Sequence, residues 1–296
     1  MLEHLNSTPA KPERVVIMGA GGFVGGAILR RLRAAGAEVL ALGRGDVDLL
    51  ADGAAGRLAA LLRPGDAFVA VSALAPVKNL EMFQGNLTMI RAMAEALTRV
   101  PPAHLVAIGS DAVFGDEPLP LTEASPKAPG SLHGAMHAVR EIAFAEIKAP
   151  LAVLRPTLVY GADDPHNGYG PNRFRRLAAE GREIVLFGEG EERRDHVLAD
   201  DVGELARRVL FHRSRGSLNC ATGQVWSFRE VASMVANLHD RPVPVKASPR
   251  QGPMPHNGYR PFNPAATLAA FPDFRYTPLP DGLTRVHAEL QARTGG

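Results

Sequence analysis

Residues Val15-Val16-Ile17-Met18-Gly19-Ala20-Gly21-Gly22-Phe23-Val24-Gly25-Gly26 predict the fold of the chain. A short apolar strand runs directly into a glycine-rich turn, and the residues that follow are typical of a helix. Gly19, Gly22 and Gly25 have the spacing G-x-x-G-x-x-G, which permits a tight turn, a close approach of the backbone to a pyrophosphate, and close packing of helix on strand. The N-terminus of such a helix presents free N–H groups to phosphate. The combination predicts a dinucleotide-binding site, because a plain strand-to-helix turn would not need three glycines at this spacing.

The composition argues against several classes of protein. The 296 residues are enough to bury a large core. A net charge of +2, from 33 basic and 31 acidic residues, argues against a dedicated nucleic-acid surface. The single cysteine, Cys220, excludes an internal disulfide and a thiolate metal cluster and suits a reducing compartment. No stretch has the apolar length of a signal peptide or a membrane span. We therefore expect a cytoplasmic protein with no nucleic-acid or membrane partner.

Strand and helix patterns alternate through the first half of the chain, which indicates a parallel sheet built from right-handed crossovers. The predicted strands cover residues 14–18, 38–42, 67–71, 105–108 and 151–154. The predicted helices between them cover residues 25–35, 54–62, 80–99 and 132–148. The sequence thus predicts an α/β protein with a Rossmann-like doubly wound parallel sheet and a small mixed α/β C-terminal substrate domain.

The pattern also predicts domain boundaries. Residues 1–12 are polar with two prolines, and we expect a flexible tail there. An NAD(P)-binding Rossmann domain is expected over residues 13–161, and the chain is expected to return to it over residues 195–221. Residues 162–194 and 222–296 are predicted to form a cap over the carboxyl edge of the sheet, where ligands of such folds bind. Within the cap, Ser227 and Glu230 have the spacing of a capping box and predict the start of a helix.

Four further segments make the prediction more specific: Gly85-Asn86-Leu87, Ile108-Gly109-Ser110-Asp111-Ala112-Val113-Phe114-Gly115, Leu154-Arg155-Pro156-Thr157-Leu158-Val159-Tyr160-Gly161 and Arg194-Asp195-His196-Val197-Leu198-Ala199-Asp200-Asp201-Val202. With the glycine turn, they resemble the extended short-chain dehydrogenase/reductase superfamily, in particular its NAD-dependent epimerase/dehydratase group, which acts largely on nucleotide sugars. The resemblance covers about residues 13–290. It implies an NAD(P)-dependent oxidoreductase, epimerase or dehydratase, and a homodimer formed through the helices at residues 80–99 and 132–148.

The cofactor preference is read from the end of the second strand. An acidic residue there would favour NAD, whereas Gly43 and Arg44 stand at these positions, and an arginine can meet the 2′-phosphate of NADP. We therefore expect NADP to be favoured over NAD; the alternative is that Arg44 is only a solvated residue. The resemblance implies cofactor contacts from Gly19, Gly22, Phe23, Val24, Gly25, Arg44, Asp48, Ser72, Ala73, Leu74, Asn86, His137 and Pro156.

The catalytic positions depart from the family. Its chemistry uses a Tyr, which exchanges a proton with the substrate hydroxyl, and a Lys four residues later, which lowers the pKa of the Tyr and holds the nicotinamide ribose. The matching residues here are His133 and His137, and none of the four tyrosines lies near them in the sequence. Ser110 matches the Ser/Thr that orients the substrate oxygen.

Three interpretations of the two histidines are open. In the first, His133 replaces the Tyr as acid and base, since an imidazole titrates near neutrality. In the second, the chain is a catalytically silent NAD(P)-binding sensor or scaffold. In the third, the pair binds a metal, for which the sequence identifies no further ligands.

The resemblance also implies substrate contacts from Ser110, Asp111, Asn172, Arg194 and Arg260. The two arginines match positions that hold the diphosphate of a nucleotide sugar, and the planar guanidinium suits phosphate oxygens. A small-molecule substrate, a nucleotide sugar or a similar polar compound, is the expected partner.

Overall fold

The computed structural model describes residues 2–117 and 119–294. The strands are β1 (Leu2–Glu3), β2 (Val15–Met18), β3 (Val39–Leu42), β4 (Ala67–Ala70), β5 (His104–Ile108), β6 (Leu151–Pro156), β7 (Leu158–Tyr160), β8 (Ile184–Phe187), β9 (Arg193–Leu198), β10 (Arg215–Cys220), β11 (Val225–Ser227), β12 (Val245–Ser248) and β13 (Tyr259–Arg260). The α-helices are α1 (Phe23–Ala34), α2 (Ala54–Leu61), α3 (Leu80–Arg99), α4 (Leu132–Ala145), α5 (Pro171–Ala179), α6 (Ala199–Phe211), α7 (Phe228–Ala236), α8 (Ala265–Ala270) and α9 (Leu279–Thr294). Short 3₁₀ turns cover Asp111–Val113 and Pro255–Gly258.

The larger sheet has seven strands in the order β1-β10-β6-β5-β4-β2-β3. Neighbouring strands are parallel except for β1, which is antiparallel to β10. Strands such as β2 and β4 are buried along their whole length, as expected for apolar runs covered by helices on both faces. The predicted Rossmann-like fold is confirmed, and the five predicted strands lie within two residues of the observed ones.

Helices cover both faces of this sheet. On one face α1 packs on α6, and the shared core includes Ile28, Leu32 and Leu205. On the other face α2, α3 and α4 pack side by side, with Leu58 and Met93 buried between them and the sheet. Among the described helices, none has both the length and the apolar character that a bilayer span requires.

The cap is a second, smaller layer of mixed structure. In it β9 pairs with β7, β11 and β13, and β8 pairs in parallel with β12. Helices α5, α7 and α9 share a core with these strands around Phe174, Leu186 and Val231. The predicted capping box is confirmed: the Glu230 N–H donates to Ser227 Oγ at 3.1 Å, and the Ser227 N–H donates to Glu230 Oε2 at 2.7 Å.

Two predicted boundaries are wrong. The segment expected to be a flexible tail over residues 1–12 is docked where the structure describes it: Leu2 and Glu3 pair with β10, and the Ala10 N–H donates to the Phe211 carbonyl at 2.9 Å. An edge strand offers unpaired N–H and C=O groups, and the polar tail satisfies them. In the C-terminal segment, α8 packs against β10, and Phe271 is buried in the core of the larger sheet rather than in the cap.

Candidate active site

A cleft of about 440 Å³ opens at the carboxyl ends of four adjacent parallel strands. Met18, Val71, Ile108 and Pro156 line it, at the ends of β2, β4, β5 and β6. Ligands of doubly wound sheets bind at this edge because the strand-to-helix loops converge there. The cap closes one side through residues 164–166.

The glycine turn forms the floor of the cleft. Gly19 has φ +101°, which favours glycine, and a Cβ on it would lie 2.7 Å from the Ser72 backbone nitrogen. A Cβ on Gly25 would lie only 2.0 Å from the Gly19 carbonyl oxygen. Gly25 therefore lets α1 begin close to the turn without itself lining the cleft. The other predicted residues of this turn line the cleft: Gly19, Gly22, Phe23 and Val24.

Arg44 and Asp48 line one end of the cleft, after β3. Asp48 is anchored, since its Oδ1 accepts the Leu50 N–H at 3.0 Å. Arg44 is exposed, and within residues 2–117 and 119–294 its guanidinium has no hydrogen-bond or ion-pair partner. This end of the cleft therefore offers a cation that is available to an anionic ligand.

Ser72, Ala73 and Leu74 form a wall of the cleft. Asn86, predicted to contact the cofactor, does not line the cleft. Its side-chain amide accepts the Leu74 N–H at 2.9 Å and donates to the Leu74 carbonyl at 3.0 Å and the Met82 carbonyl at 2.8 Å. Asn86 thus fixes the wall to α3 instead of contacting the ligand.

His133 and His137 both line the cleft, one turn apart on α4. Burial lowers the pKa of His133, against the negative charge of Asp111, and the nearby His166 lowers it further. Burial lowers the pKa of His137 well below its ordinary value, with the charges of His133 and Arg140 acting in the same direction. Both rings are therefore neutral at neutral pH.

The tautomer of His133 follows from a backbone contact. The Val77 N–H faces His133 Nδ1 at 3.5 Å, and a backbone N–H can only donate. In the neutral ring, Nδ1 is thus the acceptor and Nε2 carries the proton.

As for the metal interpretation, no group of three His, Cys, Asp or Glu side chains among the described residues is placed to hold a metal ion.

Ser110 reaches the same part of the cleft from the end of β5. Its Oγ accepts the Ala112 N–H at 3.1 Å and lies 3.4 Å from Asp111 Oδ1. The turn that carries it packs tightly on the start of α4, since a Cβ on Gly134 would lie 2.0 Å from the Ala112 carbonyl oxygen. This close packing sets Ser110 and His133 on one rigid unit.

A buried ion pair anchors α4 to the sheet. Arg155 on β6 donates from Nε and Nη2 to the two carboxylate oxygens of Glu141, at 2.7 and 2.9 Å, and Lys127 approaches the same carboxylate at 2.6 Å. Burial raises the pKa of Glu141, but the hydrogen bonds and charges of Arg155 and Lys127 outweigh it and the pKa ends below its ordinary value. The Arg-Pro segment therefore positions the helix that carries the histidines.

The predicted substrate residues other than Ser110 do not line the cleft. Arg260 is 2% exposed and bound to Asp111 and Asp116, so its predicted contact with a diphosphate is not what the structure shows. Asn172 is a structural residue, because its amide accepts the Gly161 N–H and donates to the Val159 carbonyl, both at 3.2 Å.

Arg194 lies beside Arg260, opposite it in the pairing of β9 with β13. Its Nη1 donates to Glu192 Oε1 at 3.0 Å. Within the described part of the chain, Arg194 still has N–H donors without an acceptor, whereas Arg260 has none.

Several lining residues were not predicted: Val47, Leu49 and Leu50 after β3, Thr157 and Val159 after β6, and Asp164, Pro165 and His166 in the cap loop. The sequence predicts a loop over residues 163–171. Only the position of this loop directly after the Tyr160-Gly161 segment could have suggested that His166 lines the cleft. The loop is held by Asp164, whose carboxylate accepts from Arg176 at 3.2 Å.

With this geometry in hand, comparisons with known proteins identify the family. Residues 15–221 match the NAD dependent epimerase/dehydratase family. The chain belongs to that family. This family member is 26% identical over 276 residues to a dTDP-4-dehydro-6-deoxy-D-allose reductase of Streptomyces bikiniensis, covering 79% of the chain and 84% of the relative. It is 31% identical over 176 residues to a dTDP-6-deoxy-L-talose 4-dehydrogenase (NAD(P)(+)) of Kitasatospora kifunensis, covering 52% and 55%.

Solved structures agree on the fold of this epimerase/dehydratase family chain. The UDP-glucose 4-epimerase of Thermus thermophilus, in complex with NAD, superposes with a TM-score of 0.83 at 24% identity, over 94% of this chain and 99% of that one. A GDP-L-fucose synthetase of Naegleria fowleri bound to NADP superposes with a TM-score of 0.82 at 15% identity, over 99% and 98%.

The family cofactor is a nicotinamide dinucleotide, and the cleft fits one. The Gly19 turn leaves a cradle that a side chain would fill, α1 begins directly behind it, and the cleft extends from Arg44 to His137. Gly19, Gly22, Phe23 and the wall of residues 72–74 would hold it.

Proposed function

We propose that this protein is an NAD(P)-dependent oxidoreductase of the epimerase, dehydratase or reductase kind, with His133 in place of the usual Tyr. The observation that carries the proposal is the convergence of Ser110, His133 and His137 on the dinucleotide cleft. A hydroxyl that can orient the substrate oxygen, and an imidazole that can accept a proton from it or donate one to it, suit alcohol oxidation and ketone reduction beside a hydride carrier.

The chain's residues would divide the proton chemistry as follows. A bound nicotinamide ring supplies or accepts the hydride. In oxidation, the lone pair of His133 Nδ1, which the Val77 N–H approaches only to 3.5 Å, accepts the carbinol proton; in reduction, protonated His133 donates the Nδ1 proton to the carbonyl oxygen. Ser110 would donate a hydrogen bond to that oxygen. His137, neutral because it is buried, gives weaker electrostatic support than a lysine and would contact the cofactor ribose.

A nucleotide sugar, or a substrate of similar polarity, is the proposed substrate class. Support comes from curated relatives named as reductases or dehydrogenases of dTDP-deoxysugars. Because Arg260 is occupied by protein acceptors, we assign contact with the diphosphate to Arg194 alone.

NADP is the proposed preferred cofactor, and the exposed guanidinium of Arg44, without a partner among the described residues, supports it.

We also propose a homodimer through α3 and α4, supported by Val139 and Ile142, which are exposed apolar residues of α4. A cytoplasmic location stays a prediction.

The test is a titration of the purified chain with NADP(H) and NAD(H), with and without a panel of dTDP- and UDP-linked keto- and hydroxysugars, followed by nicotinamide absorbance. Turnover should fall by roughly 100-fold or more in His133→Ala, while cofactor affinity is kept. His239→Ala serves as the control, since His239 packs on His287 away from the cleft.

Two results would contradict the proposal. Tight cofactor binding without turnover across the panel would favour the silent sensor or scaffold. Turnover that survives in His133→Ala would show that another group moves the proton.

A further inference from the structure

Arg260 is a cation near the cleft whose donors are all engaged. Its Nε donates to Asp111 Oδ2 at 3.1 Å, and its Nη1 donates to Asp116 Oδ1 at 2.6 Å. The backbone supplies three further acceptors, the carbonyls of Asp111 at 2.8 Å, Phe114 at 3.2 Å and Gly115 at 3.5 Å. An arginine has five N–H donors, and here five protein oxygens accept them. Arg260 therefore has no donor to spare for a substrate.

These contacts join two distant parts of the chain. Asp111 and Asp116 follow β5 in the larger domain, whereas Arg260 arrives on β13 of the cap. Beside it, the Leu121 N–H donates to the Pro261 carbonyl and the Asn263 N–H to the Leu121 carbonyl, both at 2.9 Å. The bonds of Arg260 therefore belong to a tie between the cap and the loop that carries Ser110.

The turn that delivers Arg260 is strained. His256, Asn257 and Gly258 have φ of +52°, +49° and +80°, and left-handed backbone at the two non-glycine residues costs free energy that surrounding contacts must offset. His256 supplies one such contact, with Nδ1 2.6 Å from Asp116 Oδ1 and 3.0 Å from Arg260 Nη1. A turn kept at this cost indicates that the placement of Arg260 matters.

The far side of the network faces the proton-transfer site. Asp111 Oδ2 binds Arg260, while its Oδ1 lies 3.4 Å from Ser110 Oγ. The turn that carries Asp111 packs on α4 next to His133, since a Cβ on Gly134 would lie 2.0 Å from the Ala112 carbonyl oxygen. There the Asp111 charge raises the pKa of His133, in opposition to burial and to His166 on the cap loop. His137 is a further titratable neighbour of His133, with ring centroids 4.7 Å apart.

We propose that Arg260 is a positioning residue, which holds Asp111 against Ser110 and thereby connects the seating of the cap to the state of His133. This inference rests on the proposed function, in which His133 moves the proton. It replaces the diphosphate contact expected of Arg260 with a role that acts through Asp111. A purely structural tie would stabilise the cap and leave His133 unchanged.

The test uses the full chain with NADP⁺ and follows the His133 ring by NMR, its resonance assigned by its absence in His133→Gln. Asp111→Asn should lower the pKa of His133 by roughly one unit, because an opposing negative charge is removed. Arg260→Gln should also lower the pKa of His133. Asp111 is then no longer held beside Ser110, and the loss of its nearby negative charge should outweigh the loss of the more distant positive charge of Arg260. The double variant should show no further change, since both substitutions break one connection.

The matched control is Asp66→Asn. It breaks a buried Arg–Asp pair, Arg14 to Asp66 at 2.7 and 2.8 Å, that does not line the cleft. It should lower the thermal midpoint without moving the pKa of His133. If Arg260→Gln does not fold, Arg260→Lys takes its place, because it keeps the buried positive charge but cannot reproduce the forked contact that holds Asp111; it should lower the pKa of His133 in the same direction.

An unchanged pKa of His133 in either variant would overturn the proposal. In Asp111→Asn it would show that Asp111 does not act on His133, and in Arg260→Gln it would show that Arg260 is only a structural tie. A raised pKa in Arg260→Gln would also overturn it, since Arg260 would then act directly through its own charge. Failure of the proposed function is distinguished separately, because it appears as tight cofactor binding without turnover across the panel or as undiminished turnover in His133→Ala. In either case the NMR titration still reports on Asp111 and Arg260.

Discussion

His133 and His137 lie edge to face on α4, with ring centroids 4.7 Å apart and ring planes at 90°. The outer ring, His133, is partly open to the cleft, while His137 is 6% exposed. One imidazole is thus free to exchange protons with a ligand, and the other is held neutral behind it.

The pH dependence of turnover should report the lowered pKa of His133. Oxidation needs the neutral ring, so its rate should be full at pH 7 and fall only below pH 6.5, the ordinary histidine pKa. Reduction needs the protonated ring, so its rate should rise as the pH falls. In His166→Gln the fall of the oxidation rate should begin at a higher pH, because His166 lowers the pKa of His133 and its removal raises that pKa. Steady-state rates in both directions across the range from acid to mildly alkaline pH check this; an oxidation limb centred above neutrality would contradict it.

Arg44→Ala should weaken NADP binding selectively. Loss of one charge-assisted contact to the 2′-phosphate costs about 1.5–3 kcal/mol, roughly a 10- to 100-fold rise in the dissociation constant, whereas NAD affinity should stay within about twofold since NAD lacks that phosphate. Calorimetric titration measures both. Arg33→Ala is the control, because Arg33 is an exposed arginine of α1 that does not line the cleft. An equal loss for NAD and NADP would show that Arg44 does not read the 2′-phosphate.

Gly25→Ala should damage the cofactor site, and Gly21→Ala should not. The Cβ added at Gly25 would meet the Gly19 carbonyl at 2.0 Å, so the backbone of the turn must move, at a cost of about 1–3 kcal/mol. The Cβ added at Gly21 has nothing within 4 Å. Thermal unfolding and dinucleotide titration of the two variants compare them directly. Similar behaviour of both variants would refute the assigned role of Gly25.

The free energy of unfolding should fall in acid partly because of His104. Burial lowers its pKa from 6.5 to about 4, against the bond from its Nε2 to the Ser214 carbonyl. Below pH 6.5 the unfolded chain takes up a proton that the folded chain refuses, so stability is lost down to about pH 4. The shift corresponds to roughly 3 kcal/mol.

His104→Gln keeps an N–H donor for Ser214 and does not titrate. Denaturant unfolding of this variant and the parent, at a series of pH values from neutral to about pH 4.5, should show a shallower acid slope in the variant, whatever its stability at neutral pH. Parallel curves would mean that His104 titrates normally in the folded protein.

The sequence by itself determined the fold, the family and about half of the residues that line the cleft. Gly19 and Gly22 form the turn, and Ser110, His133 and His137 line the cleft; their roles there stay predictions. These features are local. Once a strand, a turn and a helix are located in the sequence, their periodicity shows which side chains lie at the carboxyl edge of a parallel sheet.

Only the tertiary structure decided the contacts between distant segments. It bound Arg260 to Asp111, 149 residues away, rather than leaving it free for phosphate, placed His166 in the cleft, and docked the N-terminal strand on β10. The pattern of residues along the sequence does not show which distant acceptor a guanidinium will contact, because that contact depends on how the cap packs on the sheet. The physical reason is that a buried charge takes whichever acceptors the final packing brings within reach.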